Sequence, residues 1–416
     1  MQIFKRCSKI LFASLITFFA LGDCKVKEGC IGMDPSCSLL SVLVLTKASV
    51  PRFLYVTNGS GGISQFRFNK DSGALTSLGS VPAAGNAFKL VVDVYGTFGV
   101  LTCDLSNTLQ VFQIDANSGQ LTLTDTQSNG IIATPFPPVL DSAHNVVHVP
   151  MNGGSQIVSY AVSASGKLSN IGTVPTGGQL QGLTLHPGGA YVIAAATSNA
   201  YAFKINSNGS LTQSGNAAAG LGPNRPVITP NGKFVYVSNT TSGTISAFSF
   251  DESLGALTLI EHEPAASAVQ GAVNSVGTLF ANTDNAGSTT GFSFAIQSNG
   301  SLQSSGTFAY GTGGSNQAPM FSPTADILYV PLPSLGVVSM TSISAASAPV
   351  QNAQVSAITG LANPVLDPSG KFVFMPSNGT SQVTGFRVLP NGQLGLLATY
   401  PATSATQVTI ASFFEF

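Results

Sequence analysis

Four histidines, one short acidic cluster and five cysteines are the residues of this chain whose types first suggest chemistry. A metal site needs several such ligands converging on one point, and histidine catalysis needs a partner within hydrogen-bond reach. His148 lies in the run VVHV, in a column filled elsewhere by Tyr55, Tyr236, Tyr329 and Phe374, so it is expected to pack as an aromatic surrogate. His144 falls at a turn where Gly370 stands in a later copy of the segment, and His186 precedes a proline in LHPGG. His262 sits between Glu261 and Glu263, but neighbours on a strand point to opposite faces, so this cluster makes a poor chelate and no metal is expected.

The run DANSG, Asp115 to Gly119, has the spacing of half a calcium loop. Equivalent turns at 206–209 (NSNG) and 297–300 (QSNG) carry no acid, so hairpin geometry accounts for it. The chain has no G-x-S-x-G elbow, no P-loop and no Cys-x-x-Cys pair, and no cofactor is expected. Cys103, in the strand-like run GVLTC, reads as a small buried hydrophobe.

Cys24 has a different setting. Lys5, Arg6 and Lys9 precede the apolar run ILFASLITFFAL, which is too short to span a bilayer and has the order of a signal peptide over residues 1–23. The following LGDC, Leu21 to Cys24, resembles a bacterial lipoprotein cleavage site, which makes Cys24 the expected point of lipid attachment; an ordinary signal peptide cut nearby is the alternative. Residues 24–50 then form a tether, within which Cys30 and Cys37 bracket a loop able to close in an oxidising compartment. The expected address is the cell envelope: a membrane-anchored lipoprotein, or a periplasmic or secreted protein if unlipidated.

Charge narrows the partners. Loss of residues 1–23 leaves 13 Lys and Arg against 16 Asp and Glu, with no basic run. Counterion release from nucleic acid would be small, and the membrane is approached only through the anchor. No nucleic-acid partner is expected.

The elements that must position any site come from a repeat. Only 8% of residues are charged while 44% are hydrophobic, and polarity resides in 45 glycines with Ser, Thr and Asn, a composition for strands and turns. A strand carrying one aromatic recurs, with the column Phe66, Phe112, Tyr160, Phe203, Phe248, Phe292, Met340 as a stand-in, and Phe386. Its spacings are 46, 48, 43, 45, 44, 48 and 46 residues. A Gly-x-Leu turn follows at Gly73, Gly119, Gly166, Gly209, Gly255, Gly300 and Gly392. A strand precedes each, among them FLYV, FVYV and FVFM, often after a phrase such as PNGK or PSGK.

Four short strands in about 46 residues is the signature of a propeller blade, which cannot bury its faces alone and must close into a ring. The expected fold is therefore all-β: a single β-propeller of four-stranded blades over residues 51–416, with eight blades, or seven if the degenerate unit from Asp326 to about Gln354 loops out. As a blade, that unit should be the least stable. The terminal run TQVTIASFFEF is favoured to complete the first blade, with SLLSVLVLT at 38–46 as the rival.

The phrase GLGPNRPVITPNGKFVYVSN, Gly220 to Asn239, resembles the lactonase-type propeller family, whose members hydrolyse 6-phosphogluconolactone and related lactones. The resemblance covers about residues 51–416. It implies a seven-bladed ring with a site built around Gly-x-Gly-Pro-Arg-His and a Glu after the strand. Here Asn224 stands for that Arg, Arg225 for the His and Thr240 for the Glu. Arg225 is the candidate ligand-binding residue, an anion site if it faces the central opening, and no catalytic residue is assigned. These departures, with export, lead to the expectation of a non-catalytic, monomeric binding protein for an unknown protein or small-molecule ligand. The alternative is a diverged lactone hydrolase.

Overall fold

The computed structural model describes residues 50–128, 137–266, 268–284, 289–311 and 317–413. The chain divides between Lys47 and Ala48, and all described residues fall in the second part. Cys24, Cys30, Cys37 and the rival segment at 38–46 lie outside the described residues.

Eight four-stranded antiparallel sheets form the ring. Seven run in chain order from the innermost strand outward, as in blade two: Ala87–Val92, Phe98–Cys103, Thr108–Ile114 and Leu121–Ser128. Blade one is the exception. Its inner strand is Ala405–Phe413, paired antiparallel with Val50–Asn58. The C-terminus thus closes the ring, as favoured from the sequence, and the eighth blade is real: the degenerate unit folds as Met320–Phe321, Ile327–Leu332, Val337–Ser342 and Val350–Ser356.

The core follows from this closure. Alternate side chains of each strand face opposite neighbours, so the buried apolar residues fall into eight clusters, one per blade interface. Phe112 packs on Phe53 and Tyr55 of blade one, and Phe386 on Tyr329 of blade seven. Each such aromatic contributes about 1.5–3 kcal/mol when fully buried.

Two members of the aromatic column need correction. A β-bulge against the outer strand comes just before the column residue, as at Ser159/Tyr160 and Ala247/Phe248. In blade six it lies at Ser293/Phe294, so Phe294, not Phe292, is the column residue; it is 1% exposed and packs on Tyr236 and Phe280. In blade seven the bulge lies between Met340 and Thr341. Thr341 holds the column, while Met340 points the other way, onto Phe386 and Val373 of blade eight. Phe308 and Tyr310 fill the interface that Thr341 leaves without an aromatic.

All seven Gly-x-Leu glycines take positive φ, between 66° and 87°, which a side chain adopts only with strain. They are also crowded: a Cβ on Gly119 would lie 2.2 Å from Phe53 Cδ1 of the preceding blade. The PNGK phrase is structural for a related reason. Gly232 has φ 73°, and its carbonyl accepts from His186 Nε2 of blade four at 2.9 Å.

Candidate functional site

The inner strands place one residue each at a common level of the central opening. In blade two, Ala87 pairs with Cys103 and Lys89 with Thr102, with Phe88 bulged between them. The same pattern puts Gln407 across from Thr57 in blade one, Gly182 across from Ala195 in blade four and Gln270 across from Thr283 in blade six. In blade five, counting between the Pro223–Asn239 bridge and the Val227–Tyr236 pair sets Arg225 across from Ser238. Register counting gives Pro137, Ala318 and Asn363 in blades three, seven and eight.

Around the ring this collar reads Gln407, Lys89, Pro137, Gly182, Arg225, Gln270, Ala318 and Asn363. It holds two bases, three amides and no acid. A pocket of about 270 Å3 opens beside Arg225, lined also by Thr184, Gln270 and Ala318. Asn363 Oδ1 accepts from the Ala318 backbone N–H at 2.8 Å, which joins blades seven and eight at this level.

The two bases are held alike. Arg225 Nε donates to Leu183 O of blade four at 3.2 Å, and Lys89 Nζ to Val408 O of blade one at 3.4 Å. Each acceptor lies one residue beyond the collar position of the preceding blade. Gly182 makes room for the arginine, since a Cβ there would meet Arg225 Cβ at 2.8 Å. The Nη groups of Arg225 make no hydrogen bond among the described residues, and no carboxylate pairs with either base there.

Water reaches Arg225, yet the ring surrounds it, and this desolvation holds its pKa below the usual arginine value. Lys89 is shifted in the same direction: burial first, then the Arg225 charge, lower its pKa to about 8. An enclosed site with two uncompensated positive groups suits an anion, or an oxygen that gains negative charge during reaction.

The other sequence candidates have structural roles. His148 is fully buried with Nδ1 against Ser159 Oγ at 2.9 Å, as an aromatic surrogate should be. His144 caps its turn on Asp141 at 2.6 Å. Among the Glu-His-Glu residues, Glu261 accepts from Leu302 N–H at 2.5 Å while His262 meets Ser246 Oγ at 3.0 Å. Asp115 caps its hairpin by accepting from the backbone N–H of Asn117 and Ser118. Cys103 is buried, and burial raises its thiol pKa to about 11, leaving little thiolate at neutral pH. Thr240, in place of the family Glu, donates to Ala268 O at 3.1 Å.

The sequence singled out Arg225 as a candidate and did not single out Lys89. The two bases fall into one column only once the inner strands are set in register, with AFKL (87–90) against PNRP (223–226).

The fold is an eight-bladed β-propeller, and the chain is similar to lactonase-type propellers. The family model "Lactonase, 7-bladed beta-propeller" matches residues 42–134 and 221–270, segments that contain Lys89 and Arg225. The 6-phosphogluconolactonase of Yersinia enterocolitica is 25% identical over 212 residues, 46% of this chain and 61% of that protein. The chain thus spans about three-fifths of the length of the curated relatives it matches. Two solved structures share the fold. A periplasmic gluconolactonase of Pseudomonas aeruginosa has TM-score 0.59 and 15% identity, covering 86% of this chain and 99% of that one. A candidate 6-phosphogluconolactonase of Bacteroides fragilis has TM-score 0.62 and 18% identity, covering 88% and 99%.

These matches overturn the expectation of a non-catalytic binding protein, since the relatives carry lactonase names. The physical reason is that substitution at Asn224 and Thr240 does not strip the opening of charge. The collar keeps Arg225 and adds Lys89.

Proposed function

We propose that this protein is a lactone hydrolase whose site is the basic collar. The observation that carries the reading is the guanidinium of Arg225, held through Nε with no described partner on its Nη groups, beside a 270 Å3 pocket and within a segment matched by the lactonase family model. Hydrolysis adds water to the lactone carbonyl carbon, and the carbonyl oxygen becomes an oxyanion. Nη hydrogens of Arg225 aimed at that oxygen bind it more tightly in the transition state than in the ground state, the condition for catalysis. The product carboxylate keeps the charge that the collar favours.

The leader belongs to the same reading. Residues 1–23 direct export and Cys24 carries the lipid, so the propeller works as a monomer in the cell envelope on a small-molecule lactone. The gluconolactonase of similar fold from P. aeruginosa is periplasmic, which supports this address. Titration of released acid over a panel of sugar and aliphatic lactones tests the activity, and turnover of none rejects it. Detergent partition of the native protein against Cys24→Ala tests the anchor, and a soluble native protein beginning at another residue rejects that.

A further inference from the structure

We propose that Lys89 is a second catalytic residue of this site, the group that takes the proton from the attacking water and returns it to the leaving ring oxygen. The inference rests on the hydrolase reading and adds to it a residue that no sequence motif marks.

Three observations place it there. Lys89 occupies the same collar position as Arg225, three blades away, and leans on the preceding blade in the same manner. Its amine makes one long hydrogen bond, 3.4 Å to a carbonyl, and has no carboxylate partner among the described residues. Lys89 is half-buried, and a lysine drawn out of bulk water for structure alone is normally paired. The two charges also interact, because Arg225 lowers the proton affinity of Lys89.

The groups around Lys89 leave that amine as the proton carrier. On the strands packed against Ala87–Val92, the described titratable side chains are Tyr55, Cys103 and Asp141. Tyr55 OH donates to Gly119 O, the Cys103 thiol is buried, and Asp141 is bonded to His144. With its pKa near 8, Lys89 holds a useful fraction of free amine at neutral pH, where an exposed lysine holds almost none.

The step balances. The amine lone pair takes a proton from water as the water oxygen bonds to the lactone carbonyl carbon, and the carbonyl electrons move onto the oxygen held by Arg225. Collapse of that oxyanion breaks the bond to the ring oxygen, which accepts the proton from the ammonium. A hydroxy acid leaves and the free amine is restored.

The test has two arms. In the first, the wild-type protein is treated at pH 7.5 with pyridoxal 5′-phosphate, an anionic aldehyde that forms an imine with free amines, then reduced with borohydride and mapped by mass spectrometry. Lys89 is expected to be modified about tenfold faster than exposed Lys70 and Lys167, and the Arg225→Ala variant should show a smaller preference, since burial of Lys89 remains. In the second, kcat/KM on a hydrolysed lactone is followed against pH for wild type, Lys89→Met and Lys89→Arg. Both variants are expected to lose about 10²-fold or more, together with the rise in rate near pH 8, because arginine keeps the charge and cannot give up the proton. Lys89→Arg active within a few-fold and with the wild-type profile, or Lys89 labelled no faster than Lys70, overturns the role of Lys89 and spares the hydrolase reading. Absence of any wild-type turnover overturns both.

Discussion

The hydroxyl of Tyr236 donates to the carbonyl oxygen of Gly300 at 2.9 Å, across the interface between blades five and six. Tyr55 reaches Gly119 O at 2.8 Å and Tyr329 reaches Gly392 O at 2.5 Å in the same way. Each bond joins the second strand of one blade to the Gly-x-Leu turn of the next. Two features that recur in sequence at a fixed separation are thus two ends of one contact, and burial raises the phenol pKa so that the hydroxyl stays a donor.

Tyr236→Phe keeps the ring and removes the donor, leaving Gly300 O without its partner. Loss of about 1–3 kcal/mol is expected, read as a lower urea midpoint at unchanged slope. A midpoint equal to that of wild type contradicts the assigned role of the bond.

Gly119→Ala should cost more than an ordinary surface change, since its φ is 75° and a Cβ would meet the Phe53 ring at 2.2 Å. Strain and overpacking together put the loss at about 2–4 kcal/mol. Phe53→Ala in the same chain should recover part of the steric share, and a double variant whose losses simply add speaks against the contact.

Blade seven should open first. The outer strands of the other blades each bury a leucine near their start, such as Leu121 or Leu394, whereas Val350–Ser356 begins with Val350 59% exposed and has no buried residue. Hydrogen exchange is expected to be fastest there among the outer strands. Slower exchange in Val350–Ser356 than in Leu121–Ser128 contradicts this.

The ring, its eight units and its C-terminal closure were legible because each rests on a local pattern repeated about every 46 residues. Phe292 and Met340 were misassigned because a β-bulge shifts which residue faces which neighbour, and a bulge leaves no mark in the hydrophobic pattern. Arg225 was visible through a motif. Lys89 was not, because the collar exists only after eight distant strands are set at one level.

His148 should make stability depend on acid. Its Nε2 has no hydrogen-bond partner among the described residues, and burial lowers its pKa from 6.5 to about 4. Between these values the unfolded chain binds a proton that the folded chain refuses, so this contribution is complete above pH 6.5 and lost as pH falls toward 4. In the double variant His148→Phe, Ser159→Ala the midpoint is expected to fall less steeply over that window. An unchanged slope removes His148 from the account.

The most direct test of the central claim is kcat/KM for a sugar lactone, measured for wild type and Arg225→Ala at equal folded concentration, with thermal midpoints taken on the same samples. The expected result is clear wild-type turnover and a fall of about 10²–10³-fold in the variant, the usual consequence of losing one oxyanion donor, with the midpoint lowered only by the loss of the Nε bond to Leu183 O. Equal rates in the two proteins, or no hydrolysis by the wild type, contradict a lactonase site at the collar.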